Sequence, residues 1–293
     1  MRVGFVIQKT GDENMKKIID VTVYELREIL RNTKILLVLF FVVILYESIL
    51  FPINEICNTT DYSIGVFEPF ILICSRSTNT ILIPILFILL ISGFPYCMNS
   101  YFHIIRTGKR AWVYGEIQFI VLSSALFLMV LYVGCIIPVM NNLSFSNEWS
   151  SFMTNLSSNY PEIYKKNILL CLDPSYTLHG TPSSESLYSF AVMWLNLVIL
   201  GTIVLLGSIL GKKMFLLFVA IGETLIGGCS IYFTSSVKWV FPLTHTQYGL
   251  HFNELFSGNN FDVQYTFVYL GLIVLAEFIA CRINIEKANF LKG

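Results

Sequence analysis

The chain has 293 residues, of which 55% are apolar and 13% carry a charge, and its mean hydropathy is +0.68. A water-soluble domain of this composition would lack the polar surface needed to cover itself, so ordinary soluble enzymes and binding modules are excluded. The 19 basic and 19 acidic residues cancel to a net charge of zero, a balance that does not favour a nucleic-acid partner.

The N-terminal segment precedes any long apolar run. Residues 2–14 are polar, so the start of the chain is not a signal peptide. Met15 is followed by two lysines and would also suit an initiation codon. This leaves open whether residues 1–14 are a native part of the protein. Between residues 18 and 34, apolar residues recur at helical spacing with charged residues on the other faces. This pattern predicts an amphipathic helix lying at the inner membrane surface.

Six apolar runs follow, each near the roughly 20 residues that a helix needs to cross the hydrocarbon core of a bilayer. They lie at about residues 35–51, 79–98, 117–140, 187–210, 214–233 and 264–281. The sequence therefore predicts an all-α polytopic membrane protein. Its transmembrane domain, residues 35–281, has six helices and lies between two cytoplasmic segments, residues 1–34 and 282–293.

The basic residues predict the orientation of these spans, because Lys and Arg next to a span are retained in the cytoplasm. With the N-terminus inside, 15 of the 19 basic residues fall in cytoplasmic segments. Both termini are then cytoplasmic. The external loops, at about 52–78, 141–186 and 234–263, are long, and they hold most of the acidic residues that lie between spans.

The external cysteines and histidines allow more than one interpretation. Cys57 and Cys74 either close the first external loop with a disulfide or remain free thiols, with equal weight. His245 and His251 fall in the third external loop, and a pair of histidines on a surface is more often incidental than a metal site. No metal site is predicted.

Recognisable catalytic chemistry is absent from the sequence. No zinc-protease motif, nucleophile elbow or phosphate-binding loop occurs, so no catalytic residue and no cofactor is assigned to this chain. If ATP drives the protein, another chain binds it. One charged residue, Glu223, falls near the middle of the fifth apolar run. An ionised carboxylate there normally faces protein, water or a partner, so Glu223 is a candidate for the transport pathway or a subunit interface, with a protonated packing role as the alternative.

The most specific local feature is the connection between the second and third runs, residues 99–116. It begins as a short amphipathic stretch, turns at Gly108 and returns to lipid with Trp112 and Tyr114 at the interface. Here the chain resembles the membrane subunits of ABC-2 type transporters, the bacterial permeases in which the corresponding loop carries an Arg-x-Gly-basic-basic-x-Trp pattern. The residues that match it in order are Arg106, Gly108, Lys109, Arg110 and Trp112. The lead-in helix, the six spans and the inside termini extend the resemblance over nearly the whole chain.

The resemblance implies a bacterial cell-membrane permease that does no covalent chemistry itself. Two copies of a separate ATP-binding subunit would hold ATP and Mg and would dock on the coupling loop. That loop comprises Ile104, Ile105, Arg106, Gly108, Lys109, Arg110 and Trp112. Gly211, Lys212 and Lys213 would make a second cytoplasmic contact. Two six-span subunits would face each other, as a homodimer or as a heterodimer with a related permease.

Long external loops depart from compact members of that family and suit a peptide, antimicrobial or signalling, or another amphipathic substrate. The sequence does not decide between export and import, although the family favours export. A different class of function is also open. A membrane immunity or sensor protein would bind an extracellular peptide through the same loops and would need no ATPase. The coupling loop also has a simpler interpretation. Its basic residues alone would suit an ordinary positively charged anchor at the inner membrane surface.

Overall fold

The computed structural model of the chain describes residues 2–93, 104–159, 161–162, 170, 172–233, 235–252 and 260–288. Within them the α-helices are α1 (Arg2–Arg31), α2 (Ile35–Leu45), α3 (Phe51–Thr60), α4 (Glu68–Ser75), α5 (Ser77–Ile91), α6 (Lys109–Ile136), α7 (Ser151–Asn159), α8 (Pro174–His179), α9 (Pro182–Ile209), α10 (Lys213–Ser230) and α11 (Val263–Lys287). A π turn, Tyr46–Leu50, joins α2 to α3. Two short strands, β1 (Ile64–Gly65) and β2 (Leu143–Ser144), pair in parallel.

Five helical stretches of the described chain are long and apolar enough to cross a membrane, or six if the bent pair α4–α5 counts as one span. The unbent five are Ile35–Thr60, Lys109–Asn142, Pro182–Ile209, Lys213–Ser230 and Val263–Lys287. Each of the six regions overlaps one of the apolar runs that the sequence identified. The predicted all-α architecture with membrane-spanning helices is confirmed to this extent.

The chain runs alternately between two ends of the helical bundle, which we name here. The basic end holds Lys34, Lys109, Arg110 and Lys213, and there Lys34 Nζ donates to the carbonyl of Leu89 at 3.1 Å. The cap end is formed by residues 61–76, 137–159 and 236–252, which contact one another. At the centre of the bundle, α9 packs against α5, α6, α10 and α11 and is therefore the core helix.

The first span is longer than its apolar composition predicted. Helix continues through the π turn to Thr60 and ends where Asp61 adopts a left-handed conformation, φ 55°. The π turn widens the helix just before Pro52, whose ring would otherwise clash with the carbonyl four residues earlier. Helix therefore continues nine residues beyond the end of the predicted apolar run at Phe51.

The second predicted span, residues 79–98, is preceded by a sharp break. Helices α4 and α5 meet at 90° around Arg76, whose backbone is extended at φ −82° and ψ 120°. The break frees the carbonyl of Cys74, which accepts from Thr80 Oγ1 at 2.9 Å and from Gln247 Nε2 at 3.1 Å. These side chains donate to a backbone carbonyl that lost its helical hydrogen bond at the break. Helix α5 ends at Ile91, and residues 94–98 of the prediction lie outside the described residues.

The third span begins at Lys109, eight residues before the predicted start, and continues as a 3-10 helix, Ile137–Asn142. Apolar composition alone placed the start at residue 117 because it excluded the charged residues Lys109, Arg110 and Glu116. The other three spans agree with the predicted boundaries to within six residues at either end.

The predicted first and second external loops fold onto each other through one buried carboxylate. Glu68, at the start of α4, is 0% exposed. Its Oε2 accepts from the backbone N–H of Gly65 at 2.8 Å and from the hydroxyl of Ser150 at 2.6 Å, and its Oε1 accepts from the N–H of Ser150 at 2.7 Å. This carboxylate holds together the two segments whose strands pair.

The two cysteines that the sequence left as a possible disulfide, Cys57 and Cys74, are free, buried thiols. They are not bridged to each other.

The predicted third external loop packs into the bundle. Three 3-10 turns, Ser236–Val240, Pro242–Thr246 and Tyr248–His251, lie against α5, α9 and α10. Their backbone is irregular, yet Leu243, Thr244 and His245 are completely buried. Irregular backbone at such depth is tolerated where it is enclosed by protein, as it is here.

Candidate functional site

The predicted coupling loop is described from Ile104 onward. Residues 104–107 form one helical turn, and the N–H of Gly108 donates to the carbonyl of Ile104 at 2.9 Å. Gly108 has φ 88° and ψ 148°, a conformation that only glycine adopts readily. Its carbonyl accepts from the N–H of Trp112 at 3.0 Å and so begins α6. The sharp turn predicted at Gly108 is confirmed.

The loop has one buried and one exposed side. Ile104 and Trp112 are buried, whereas Ile105 is 68% exposed. The three basic side chains Arg106, Lys109 and Arg110 are exposed. Trp112 was predicted to lie at the lipid interface, but it is 2% exposed and packs inside the bundle beside Glu116. The basic side chains of the loop are thus exposed, and its buried apolar residues anchor it to the bundle.

Two basic residues of the loop bind the end of the last span. Lys109 Nζ donates to the carbonyl of Ala288 at 2.6 Å, and Arg110 Nη2 lies 2.7 Å from Glu286 Oε1. A groove of about 620 Å³ runs between the loop and the first helix. It is lined by Asn14, Ile18, Thr107, Gly108, Lys109, Arg110, Ala111, Tyr114 and Glu286. The two ends of the described chain, α1 and α11, therefore meet at this loop.

Helix α1 crosses α6 one turn beyond the loop, at Gly115. A Cβ atom on Gly115 would lie 2.7 Å from Cβ of Val21 and 3.0 Å from the carbonyl oxygen of Ile18, so glycine is required for this close approach. The hydroxyl of Thr22 donates to the carbonyl of Gly115 at 3.0 Å. The helix that begins at the loop therefore lies in close contact with α1.

The predicted second contact lies at the tight turn between α9 and α10. Gly211 adopts φ 67°, and the N–H of Lys212 donates to the carbonyl of Gly207 at 2.9 Å. Gly211 and Lys212 are exposed, whereas Lys213 is partly buried and its charge acts on Glu116 of α6. Through Lys213 the turn reaches the helix that the coupling loop begins.

The intramembrane candidate Glu223 is far from the coupling loop along the bundle. Its carboxyl oxygens are buried beside the backbone of Leu243, and neither forms a well-aligned hydrogen bond. Glu277 of α11 is close enough to interact with it electrostatically and accepts a hydrogen bond from Thr202 of α9. Helices α10 and α11, which carry these two carboxyl groups, both pack mainly on α9.

Sequence reasoning missed a pair of carboxyl groups at the basic end. Glu25 of α1 is 4% exposed and Glu116 of α6 is 1% exposed, and the two are hydrogen-bonded to each other. The helical pattern placed Glu25 among the polar faces of α1, and this was wrong. An available signal was that Glu116 directly adjoins the third apolar run, because a helix entering lipid there must bury its first turns.

The two external histidines were expected on a surface, and this was also wrong. His245 and His251 are 0% exposed, their ring centroids lie 6.2 Å apart, and the ring of Trp239 packs beside both. The hydroxyl of Tyr188 lies 2.8 Å from both the carbonyl oxygen of His245 and Nε2 of His251. Their sequence separation of six residues gives no hint that the 3-10 turns fold both rings inward.

Burial lowers the pKa of both imidazoles. The pKa of His245 falls to about 4, with desolvation as the main cause and the nearby His251 adding to it. Desolvation likewise lowers the pKa of His251, with a smaller contribution from Lys238 in the same direction and an opposing one from Asp262. At neutral pH both rings are therefore uncharged, and the cap end is held by neutral hydrogen bonds.

No protein family, curated protein or solved structure matches this chain. The resemblance of the coupling loop to that of ABC-2 type permeases therefore rests on the residues themselves.

Proposed function

We propose that the chain is the membrane subunit of an ABC-type exporter and that a separate ATP-binding subunit drives it through the loop at residues 104–110. The chain would cross the bacterial cell membrane six times, with the basic end and both termini in the cytoplasm and α1 at the inner interface. The 15 basic residues assigned to cytoplasmic segments support this orientation.

The observation that carries the proposal is the convergence of three helices on one exposed basic loop. Arg106 is exposed, Lys109 and Arg110 bind the end of α11, and α6 begins at the loop and contacts α1 at Gly115. A plain positively charged anchor requires only the charges. It does not require a glycine in a restricted conformation or contacts to both α1 and α11.

In this mechanism two ATP-binding subunits close on ATP and Mg and displace the loop. Because the loop is anchored at Ile104 and Trp112, the displacement moves α6 as a rigid element and carries α1 and α11 with it. The exposed turn at Gly211 and Lys212 gives the ATPase a second contact, on α9 and α10. The membrane domain then shifts between two arrangements, which is what alternating access requires.

A second six-span subunit, identical or related, would complete the pathway. Glu223 would face that subunit or the substrate, because a buried carboxyl group without a well-aligned hydrogen bond needs a partner. Glu277 lies close enough to interact with it electrostatically. The folded cap end would select the substrate on the outside, for which a peptide is the class best suited to a broad, structured surface.

Reversing the exposed charges of the loop tests the coupling. We expect the double variant Arg106→Glu, Arg110→Glu to lose stimulated ATP hydrolysis by roughly tenfold or more, because like charges on a rim slow docking and weaken it. The measurement is ATP hydrolysis by the ATPase subunit that co-purifies with the chain, with and without the chain in lipid vesicles.

Two controls separate docking from folding. Arg31→Glu reverses an exposed charge on α1 away from the loop and should leave hydrolysis unchanged. Arg110→Glu combined with Glu286→Arg restores the local ion pair but not the charge of the loop, so it should remain defective. Full hydrolysis in the double loop variant would overturn the proposal. A chain that purifies without any ATPase and binds peptide would instead support the immunity or sensor function.

A further inference from the structure

The carboxyl groups of Glu25 and Glu116 form a buried contact between α1 and α6. Glu25 is 4% exposed and Glu116 is 1% exposed. Their side chains are hydrogen-bonded to each other across the helix crossing that Gly115 and Thr22 define. This pair lies one turn from the coupling loop, but no part of the proposed coupling mechanism uses it.

A hydrogen bond between two carboxyl groups requires a proton. An ionised carboxylate only accepts hydrogen bonds, so two carboxylates repel each other, whereas a neutral carboxyl group donates to its ionised neighbour. The hydrogen bond between Glu25 and Glu116 therefore exists only while the pair holds at least one proton.

The surroundings place that proton on Glu116. Its Oε1 accepts no hydrogen bond and faces a cavity of about 10 Å³. The other lining residues are Ile91, Phe119, Ile120, Gly201, Val204 and Leu205. An ordered water needs two or more polar partners, and this cavity offers one, so the cavity stays dry. A dry, apolar surrounding disfavours the ionised form of Glu116.

Two further charges act on the pair, one on each member. Among the described residues, Glu28, on α1 itself, repels a negative charge on Glu25, and Lys213, at the start of α10, attracts a negative charge on Glu116. The indole of Trp112 also lies beside Glu116. An ionised Glu25 is therefore a buried charge with a like charge nearby.

We infer that Glu25 and Glu116 form a proton-binding site that fastens α1 to α6 most tightly while Glu25 is protonated and holds it less tightly once Glu25 loses its proton. The inference does not depend on an ATPase or on a transported substrate. It makes the docking of the N-terminal helix responsive to the pH of the compartment that this helix faces.

The direction of the pH dependence follows from Glu25. Desolvation, together with repulsion by Glu28, raises its pKa to about 7, and the hydrogen bond with Glu116 opposes this rise. A carboxyl group with a raised pKa binds its proton more tightly when α1 is docked than when it is free. Docking is therefore strongest at acidic pH and weakens as the pH rises from about 4.5 through about 7.

Hydrogen–deuterium exchange of the full chain in lipid nanodiscs tests the site. We expect the protection of backbone amides at residues 18–31 to fall by roughly thirtyfold between pH 5.5 and 8.5 after correction for intrinsic exchange. Amides of α9, which does not take part in the docking, should keep their protection and report that the bundle stays folded.

Variants assign the effect to Glu25. Glu25→Gln has no titratable proton at the contact, so protection of residues 18–31 should no longer change with pH. In Glu116→Gln the amide still donates to Glu25, which still titrates, so the dependence on pH should remain. Asp20→Asn removes an exposed carboxylate of the same helix and should keep the wild-type dependence. The inference fails if wild-type protection is independent of pH, or if Glu25→Gln keeps the wild-type slope while α9 exchange shows that the variant is folded.

Discussion

Replacing Glu68 with alanine is expected to lower the free energy of unfolding by about 3 kcal/mol or more, because three hydrogen-bond donors lose their acceptor. The carboxylate accepts hydrogen bonds from Gly65 and from both the backbone and the side chain of Ser150. Without the carboxylate, three hydrogen-bond donors have no acceptor. They lie in a buried site, since Glu68 itself is 0% exposed. Each unsatisfied buried donor costs about 1–3 kcal/mol before the structure relaxes.

Denaturant or thermal unfolding in detergent measures this loss, and the fluorescence of Trp149, next to Ser150, reports the cap end locally. Glu55→Ala is the matched control, because Glu55 belongs to the neighbouring helix α3 but is exposed, and it should change stability by about 0.5 kcal/mol or less. Glu68→Gln keeps an acceptor oxygen and should fall between the two. Equal stability of Glu68→Ala and Glu55→Ala would show that the carboxylate does not hold the cap end together.

Acidification is expected to destabilise the cap end through His245. The pKa of this imidazole is about 4 in the folded protein against 6.5 for a free side chain. Above pH 6.5 both states are neutral and the full stability is present. As the pH falls from 6.5 to 4, the unfolded chain takes up a proton that the folded chain does not, so about 3 kcal/mol of stability is lost.

The test is the difference in pH dependence between wild type and His245→Asn, measured as unfolding free energy from pH 7.5 to pH 4. The difference between wild type and variant removes the contributions of other titrating groups. One of these is Glu25, whose raised pKa stabilises the folded protein at acidic pH. The variant should lose less stability on acidification than wild type by about 3 kcal/mol. His179 is exposed, so His179→Gln should follow wild type. Parallel curves for wild type and His245→Asn would refute the role assigned to this imidazole.

The spans could be predicted from the sequence because lipid imposes a simple requirement, a long apolar helix. The boundaries failed where a charged or breaking residue lies inside a helix. Glu116, next to the predicted start of the third span, lies inside α6, where Glu25 supplies its partner. Pro52 lies within the first span, where a π turn accommodates its ring. In both cases the compensating feature comes from elsewhere in the chain.

The coupling loop could be located from local pattern, and its turn at Gly108 follows from the residue itself. Its contacts could not be predicted, since Glu286 is separated from Arg110 by 176 residues. The same limit applies at the cap end, where Gln247 reaches the break between α4 and α5 across 173 residues. Periodicity describes which face of a helix is apolar, but it does not identify which distant element covers a polar side chain on that face.

The proposed function requires the loop at residues 104–110 to face the cytoplasm, where an ATPase can reach it. Labelling of an Arg106→Cys variant with a membrane-impermeant maleimide measures this, with the wild-type chain as the blank for its native thiols. We expect no additional labelling on intact cells and strong labelling once the membrane is permeabilised. Equal labelling of Cys at position 106 on intact cells would place the loop outside the cell and overturn the proposed function.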